Sequence, residues 1–381
     1  MVTRRQFGAA LLGAALLPGC ARPVAVEPGR KPTPIGEWVP IPDPPLEPRY
    51  DAVGGWLAGR FVITGGQSTL PCPPGANCQP PKVPALRDGA AFDPATGRWE
   101  RLPDAPTPIS NPYRTAVVGD RLYVLTLNNG QPDSPDAMLA YDAGPGAWST
   151  LPLPPVTEVG LVGVEPTGLI AIGGSDERGA VADHRFDPEA GRWVRLPDDP
   201  LGPSFDRAGV WLGDRLLLTA MDLVDSPGSE RPSLVRLATW DPSSDRWALG
   251  PDTELIGGGA LRVGDRVVWP MTGSADGGKV NNWGRHYPYG GILDPATGGW
   301  TALPDPPAGD GLGGALLTVD GLITVGGHLL EPVSRHWTRI PESPMIDRVG
   351  ATVIGGVGTI LAWGGSDHKI NFADGRLLRL T

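Results

Sequence analysis

The densest stretch of potential chemistry in the sequence is GSADGGKVNNWGRHYPYGG at 273–291. It gathers Trp283, Arg285, His286 and Tyr287 beside Asp276, Lys279, Asn281 and Asn282. An exposed indole among amides and an arginine could stack on a sugar ring or a peptide and orient it by fixed hydrogen bonds. The same aromatics could equally be buried against neighbouring strands. A second set of polar residues recurs just ahead of short apolar runs. It reads Arg49-Tyr50-Asp51, Tyr113-Arg114, Glu158, Asp206-Arg207, Glu254, Asp310 and Asp347-Arg348. Arg49, Arg114, Arg207 and Arg348 are planar two-pronged donors suited to a carboxylate. Asp51, Asp206 and Asp347 stand beside them and could neutralise them, which would make the set a lock between elements.

Other reactive residue types are sparse. The five histidines are His184, His286, His328, His336 and His368, and no pair has the spacing of helix-borne metal ligands. His328 and His368 each follow a glycine pair, and Asp367 adjoins the second, so a metal between two loops is the minority expectation. The cysteines are Cys20, Cys72 and Cys78. Cys72 and Cys78 enclose five residues with no histidine nearby, so a disulfide staple is expected in an oxidising compartment. No catalytic residue, metal or cofactor is assigned from these patterns.

These residues have to be positioned by a repeated element. FDPATGRWERLPDAP at 92–106 returns as YDAGPGAWSTLPLPP at 141–155 and FDPEAGRWVRLPDDP at 186–200. It returns again as WDPSSDRWALGPD at 240–252 and LDPATGGWTALPDPP at 293–307, with a shorter RHWTRIPESP at 335–344. Each copy predicts a hairpin. The Asp accepts from backbone two residues on, the following Pro sets φ, and Gly97, Gly146, Gly191 and Gly298 supply the left-handed position. Trp99, Trp148, Trp193, Trp247, Trp300 and Trp337 open the returning strands at intervals of 37 to 54 residues. That period, carried by short strands, predicts a β-propeller with one four-stranded blade per repeat. The tryptophans are expected to fill wedges between blades.

Further strands end in glycine pairs: FVITGG, LIAIGGS, LITVGGH and ILAWGGS. A glycine pair, then aromatic-Asp-Pro, then Trp resembles the Kelch repeat, and the resemblance runs from Gly36 to Thr381. GEWVPIP at 36–42 matches only a returning strand, whereas 345–381 offers three strands and no Trp strand. The two are expected to pair, giving an all-β fold of seven four-stranded antiparallel blades closed by an N-terminal strand in the last blade. The blades are 49–106, 107–155, 156–200, 201–252, 253–306, 307–344, and 345–381 with 36–42. The sixth leaves little room for a regular third strand between Gly327 and Trp337. The first and fifth carry long insertions, Gln67–Asp88 and Gly273–Tyr289, where recognition is expected to reside.

The chain has 55 Gly and 45 Pro among 381 residues, and their regular placement at turns argues for a repeat fold and against disorder. A formal net charge of −10 with no basic stripe excludes nucleic acid as the expected partner. Thr3-Arg4-Arg5-Gln6-Phe7 resembles a twin-arginine export signal, and the apolar run from Gly8 to Leu17 is too short to span a bilayer. Leu16-Leu17-Pro18-Gly19-Cys20 resembles a bacterial lipobox, with Pro18 departing from the pattern. Residues 1–20 are thus expected to be an export signal, with Cys20 lipidated, or otherwise a cleaved leader on a secreted protein. Residues 21–35 form a Pro-rich tether, and 36–381 the propeller. The location implied is the outside of the cytoplasm, at a bacterial cell envelope, with the membrane touched through a lipid anchor only.

Kelch propellers found outside the cytoplasm include copper-radical oxidases similar to galactose oxidase, and sugar mutarotases. The oxidase resemblance would require a Cys crosslinked to a Tyr, a second Tyr and two His on copper. Cys72 and Cys78 suit each other, and Arg285-His286-Tyr287 is isolated, so this sequence meets that requirement poorly. A mutarotase or epimerase would need a carboxylate and an arginine at the channel mouth, which Asp206-Arg207 or Asp347-Arg348 could supply. The favoured expectation is a monomeric, non-catalytic binding module that presents its loops to a carbohydrate, peptide or protein.

Overall fold

The recurring phrase folds as a hairpin at the outer edge of six of the seven four-stranded antiparallel sheets. The structure is a computed structural model. It describes residues 35–109, 114–128, 130–156, 159–176, 179–223, 233–253, 255, 259–270, 290–304, 316–325 and 327–380. Trp283, Arg285, His286 and Tyr287, the fifth-blade insertion as a whole, and Cys20 with its leader lie outside the described residues.

From innermost to outermost strand, the first blade runs from Val53–Leu57 to Arg98–Leu102 and the second from Thr115–Val118 to Ala147–Leu151. The third runs from Val159–Val164 to Arg192–Arg195 and the fourth from Ser204–Trp211 to Arg246–Leu249. The fifth and sixth run from Leu261–Val263 to Gly299–Ala302 and from Thr318–Val319 to His336–Arg339. The seventh holds Thr352–Gly355, Thr359–Trp363 and Gly375–Arg379, and its fourth strand is Glu37–Pro40, which pairs Trp38 with Leu378. Chain start and chain end therefore close the ring within one sheet. The sixth blade corrects the expectation that it lacks a regular third strand. His328–Glu331 is that strand, because Val325 pairs directly with His328 and only two residues are needed for the reversal.

The second strand of each blade reads as an unbroken apolar run because both of its faces are covered. Successive side chains point to opposite neighbours. Phe61 and Ile63 pack towards the seventh blade, while Val62, between them, packs towards the second. Among the described residues the buried apolar side chains fall into seven clusters, one at each junction between adjacent blades.

Turn chemistry follows the sequence closely. The Asp of the phrase accepts from backbone two residues on, as in Asp93 to Ala95 and Asp294 to Ala296, at 2.8 and 3.0 Å. In the sixth blade Glu331 takes that role for Val333 at 3.0 Å. Asp245 and Arg335 occupy the left-handed position where glycine is absent, with φ of 53° and 56°.

The tryptophans do more than fill wedges. Each indole Nε1–H reaches the preceding blade and donates to the carbonyl of the proline that ends its outer strand. Trp99 donates to Pro42, Trp148 to Pro103, Trp193 to Pro152 and Trp247 to Pro197, all within 2.8–3.0 Å. Trp337 donates to Pro304 at 3.3 Å and Trp38 to Pro341 at 2.9 Å. The exception is at the fourth blade, where the phrase reads Leu249-Gly250-Pro251. Glycine there replaces the leucine that elsewhere is buried as Leu102, Leu196 or Leu303, and Trp300 Nε1 is buried with no acceptor.

This asymmetry is testable with two matched substitutions. Trp247→Phe removes a made hydrogen bond and is expected to cost about 1 kcal/mol more than Trp300→Phe, which removes a donor that has no partner. Loss of ring volume is common to both, so equal shifts in the denaturation midpoint would show that the indole bond contributes nothing.

Candidate functional site

The inner strands all begin on one face of the ring, where Arg49, Asp51, Arg114, Asp206, Arg207, Asp347 and Arg348 are placed. Gly65 and Gly66 leave the first blade's second strand there with φ of 67° and 97°, and Gly364 and Gly365 leave the seventh's with 68° and 86°. Consecutive left-handed residues are natural only to glycine, and this conformation turns the Gly65 and Gly364 carbonyls towards an arginine. Arg49 Nη1 donates to Gly65 O at 3.2 Å, and its two prongs take Asp88 at 2.6 and 3.1 Å. Arg348 repeats the arrangement with Gly364 O at 3.1 Å and Asp374 at 2.6 and 3.1 Å, its guanidinium stacked 3.8 Å over Phe372. Hydrogen bonds from Arg348 and the charges of Arg348 and Arg376 hold the Asp374 carboxyl below the usual range, against burial.

Arg207 belongs to the fourth blade but bonds to the third. Its Nε donates to Gly173 O at 2.9 Å, and the guanidinium takes Asp176, Asp183 and Asp199 at 3.1, 2.8 and 3.1 Å. The side chain is fully buried. Burial opposes its charge, but the three carboxylates outweigh that and raise its pKa. Burial chiefly pushes Asp183 up to about 6, with Arg207 pulling the other way and Asp199 and Asp176 adding to the rise.

The sequence named Asp51, Asp206 and Asp347 as the neutralising partners of these arginines. In the described residues the partners are Asp88, Asp374 and the trio Asp176, Asp183 and Asp199. Asp88, Asp183 and Asp374 each stand directly before a third strand, ahead of Gly89, His184 and Gly375. That recurrent Asp was the available signal. Asp51 has no ion-pair partner among the described residues, and burial raises its pKa. Burial, and secondarily the Asp51 charge, raises that of Tyr50, against the Thr69 side chain. Asp347 is exposed, and Asp206 adopts φ of 48°. Tyr113, Glu158, Glu254 and Asp310 lie outside the described residues.

Arg114 differs from the other three arginines. It makes no ion pair and no side-chain hydrogen bond among the described residues, and its Nε is buried without an acceptor.

The long loop after the first blade's second strand is tied down at several points. Cys72 and Cys78 form a disulfide with Cα atoms 5.9 Å apart. Gln67 and Gln131 exchange side-chain amide bonds at 3.1 and 2.8 Å, joining this loop to the second blade. Asn371 of the seventh blade donates to Ser68 O and Thr69 O at 3.0 and 2.9 Å. Beside the loop lies an open groove of about 740 Å³ edged by Arg87, Asp88, Arg101, Asp104 and Asp133. His328, expected at a loop, is a buried strand residue packed edge-on against Trp337. Among the described residues no group of three His, Cys, Asp or Glu side chains is arranged to hold a metal.

The fold is thus that of a seven-bladed β-propeller. No protein-family model matches the chain, and no curated protein matches it in sequence. Among solved structures it is similar to a fungal alcohol oxidase of the AA5 family in complex with copper. That likeness has a TM-score of 0.56 at 15% identity and covers 91% of this chain and 76% of the other. At that identity it shows a shared propeller fold. The oxidase centre described above does not fit the described residues, because the disulfide occupies both Cys72 and Cys78 and leaves neither thiol for a tyrosine crosslink.

The Arg207 cluster gives a signed pH dependence. A carboxyl whose pKa rises on folding stabilises the fold fully below its unfolded value near 3.8, and the contribution is lost as pH climbs through about 6. Asp183→Asn is expected to flatten the stability profile between pH 4 and about 6, by an amount on the order of 2–3 kcal/mol. An unchanged profile would show that Asp183 titrates normally. Arg207→Ala leaves three buried carboxylates without their cation and is expected to cost roughly 3–5 kcal/mol.

Proposed function

We propose that this chain is an exported, lipid-anchored Kelch-type propeller that acts as a non-catalytic binding module. It presents the face on which its inner strands begin to a carbohydrate, peptide or protein. The observation that carries this function is the surface where the first and seventh blades meet on that face. Leu70, Ile346, Val349 and Ile370 expose 50, 64, 39 and 55% of their area there. Among them, His368 Nδ1 and Asn371 Oδ1 are buried with no hydrogen-bond partner. Exposed aliphatic area beside unsatisfied polar atoms is what a recognition surface offers before its ligand arrives. The arginines that a sugar isomerase would need at this mouth are already occupied at Arg207 and Arg348 by internal carboxylates.

A panel of neutral and acidic oligosaccharides and short peptides, followed by thermal shift, tests this. A ligand at one hundred times its Kd is expected to add about 2.7 kcal/mol of stability. The Leu70→Ser, Ile370→Ser double variant is expected to lose that shift while keeping its own melting temperature. The matching pair Val333→Ser and Val357→Ser, on turns of the opposite face, is expected to keep it. Sugar anomerisation or oxygen consumption by the purified protein would overturn the non-catalytic function.

A further inference from the structure

We infer that Arg114 is a receptor for a ligand carboxylate, which deepens the binding function proposed above and rests on it. Counting back from the turn between first and second strands, Arg114 takes the place that Val53 holds in the first blade and Thr352 in the seventh. Its carbonyl accepts from Leu125 N at 2.9 Å, so the backbone is in the ladder like theirs. Val53 and Thr352 are buried at 2 and 8% exposure, and Thr352 satisfies its hydroxyl on the Ala52 carbonyl at 2.8 Å. An arginine at this place puts a charged fork at the mouth of the ring with part of its stem enclosed.

Among the described residues the fold supplies no acceptor for its Nε–H. Arg49, Arg207 and Arg348 show what this scaffold does with an arginine of its own, which is to give it a carboxylate and a backbone carbonyl. In the second blade Thr126-Leu127 replaces the glycine pair, judged by the register that aligns Tyr141 with Phe92. Thr126 donates instead to Pro108 O at 3.2 Å, and Asp136 accepts from Asn128 N at 2.6 Å. Among the described residues Arg114 keeps a buried Nε–H with no acceptor. A buried donor of this kind is costly unless something else meets it.

A guanidinium fork selects planar oxyanions. On this face Asp51 has no ion-pair partner among the described residues and Asp347 is exposed, and the whole chain carries a formal charge of −10. Those charges disfavour a dianionic phosphate and leave a singly charged carboxylate as the matching group. Such a carboxylate could come from an acidic sugar or from an acidic peptide side chain.

The test is titration of the full chain with glucuronate, glucose, the capped tripeptide Gly-Asp-Gly and inorganic phosphate, up to about 10 mM. Glucuronate or the tripeptide is expected to bind, and whichever does identifies the source of the carboxylate. Arg114→Ala is expected to weaken that binding at least roughly tenfold, and Arg114→Lys by less, since a point charge lacks the fork. Neither substitution is expected to lower the melting temperature, because no internal bond is lost. Carboxylate binding that is equal in wild type and Arg114→Ala would overturn the inference. So would phosphate bound more tightly than either carboxylate. A neutral oligosaccharide or peptide that binds without regard to Arg114 would sink this inference and leave the binding function standing. Silence towards these probes and towards the wider panel would remove both.

Discussion

Every second strand of this protein is apolar on both faces, so no sheet here can be stable without a neighbour on each side. A ring is the arrangement that gives all seven sheets two neighbours, and the seven buried clusters lie between blades for that reason. Closure follows from the same requirement. If Glu37–Pro40 did not pair with Gly375–Arg379, the seventh blade would end in an open edge. The indole bonds to proline carbonyls add direction to contacts that are otherwise only apolar, and they fix the angle at which each blade meets the last. Trp300 marks the one break in that ring among the described residues.

Charge is handled by a parallel rule. The scaffold buries arginines, and each buried arginine draws a carboxylate from the start of a third strand. Arg49 with Asp88 and Arg348 with Asp374 lie within a single blade, and each of these aspartates also meets a second arginine, Arg101 or Arg376. Arg207 is different, since it crosses from the fourth blade to the third and meets three acids. Burial above all pushes Asp183 up to about 6 there, and the charges of Asp199 and Asp176 add to the rise. The junction is held by charge as well as by packing.

The shared fold with a copper alcohol oxidase says little about chemistry, because a propeller is a platform on which unrelated sites are built. What distinguishes one propeller from another is the set of groups that its blades leave unsatisfied on the face where the inner strands begin. Among the described residues those groups include Arg114, His368 and Asn371, with exposed aliphatic side chains near the last two. They are suited to holding a ligand by shape, an apolar surface and one oriented charge.

The repeat was legible in the sequence because its signals are local. Asp-Pro turns, left-handed glycines and short apolar strands are decided within a few residues, and the complementary deficits at 36–42 and 345–381 foretold the closure. The sixth blade's third strand was missed because a two-residue reversal leaves almost no sequence to announce it. The partners of the arginines were misassigned for a different reason. Neighbouring acids in sequence, Asp51, Asp206 and Asp347, were the local candidates, whereas the acids that bond lie 24 to 39 residues away, or as near as eight in the case of Asp199. Sequence alone determined the blades, their number and their order, because backbone turn chemistry and strand periodicity need no distant contact. Only the tertiary structure decided which arginines are neutralised and which one keeps a donor without an acceptor among the described residues, because a buried charge is settled by whatever group the fold brings beside it.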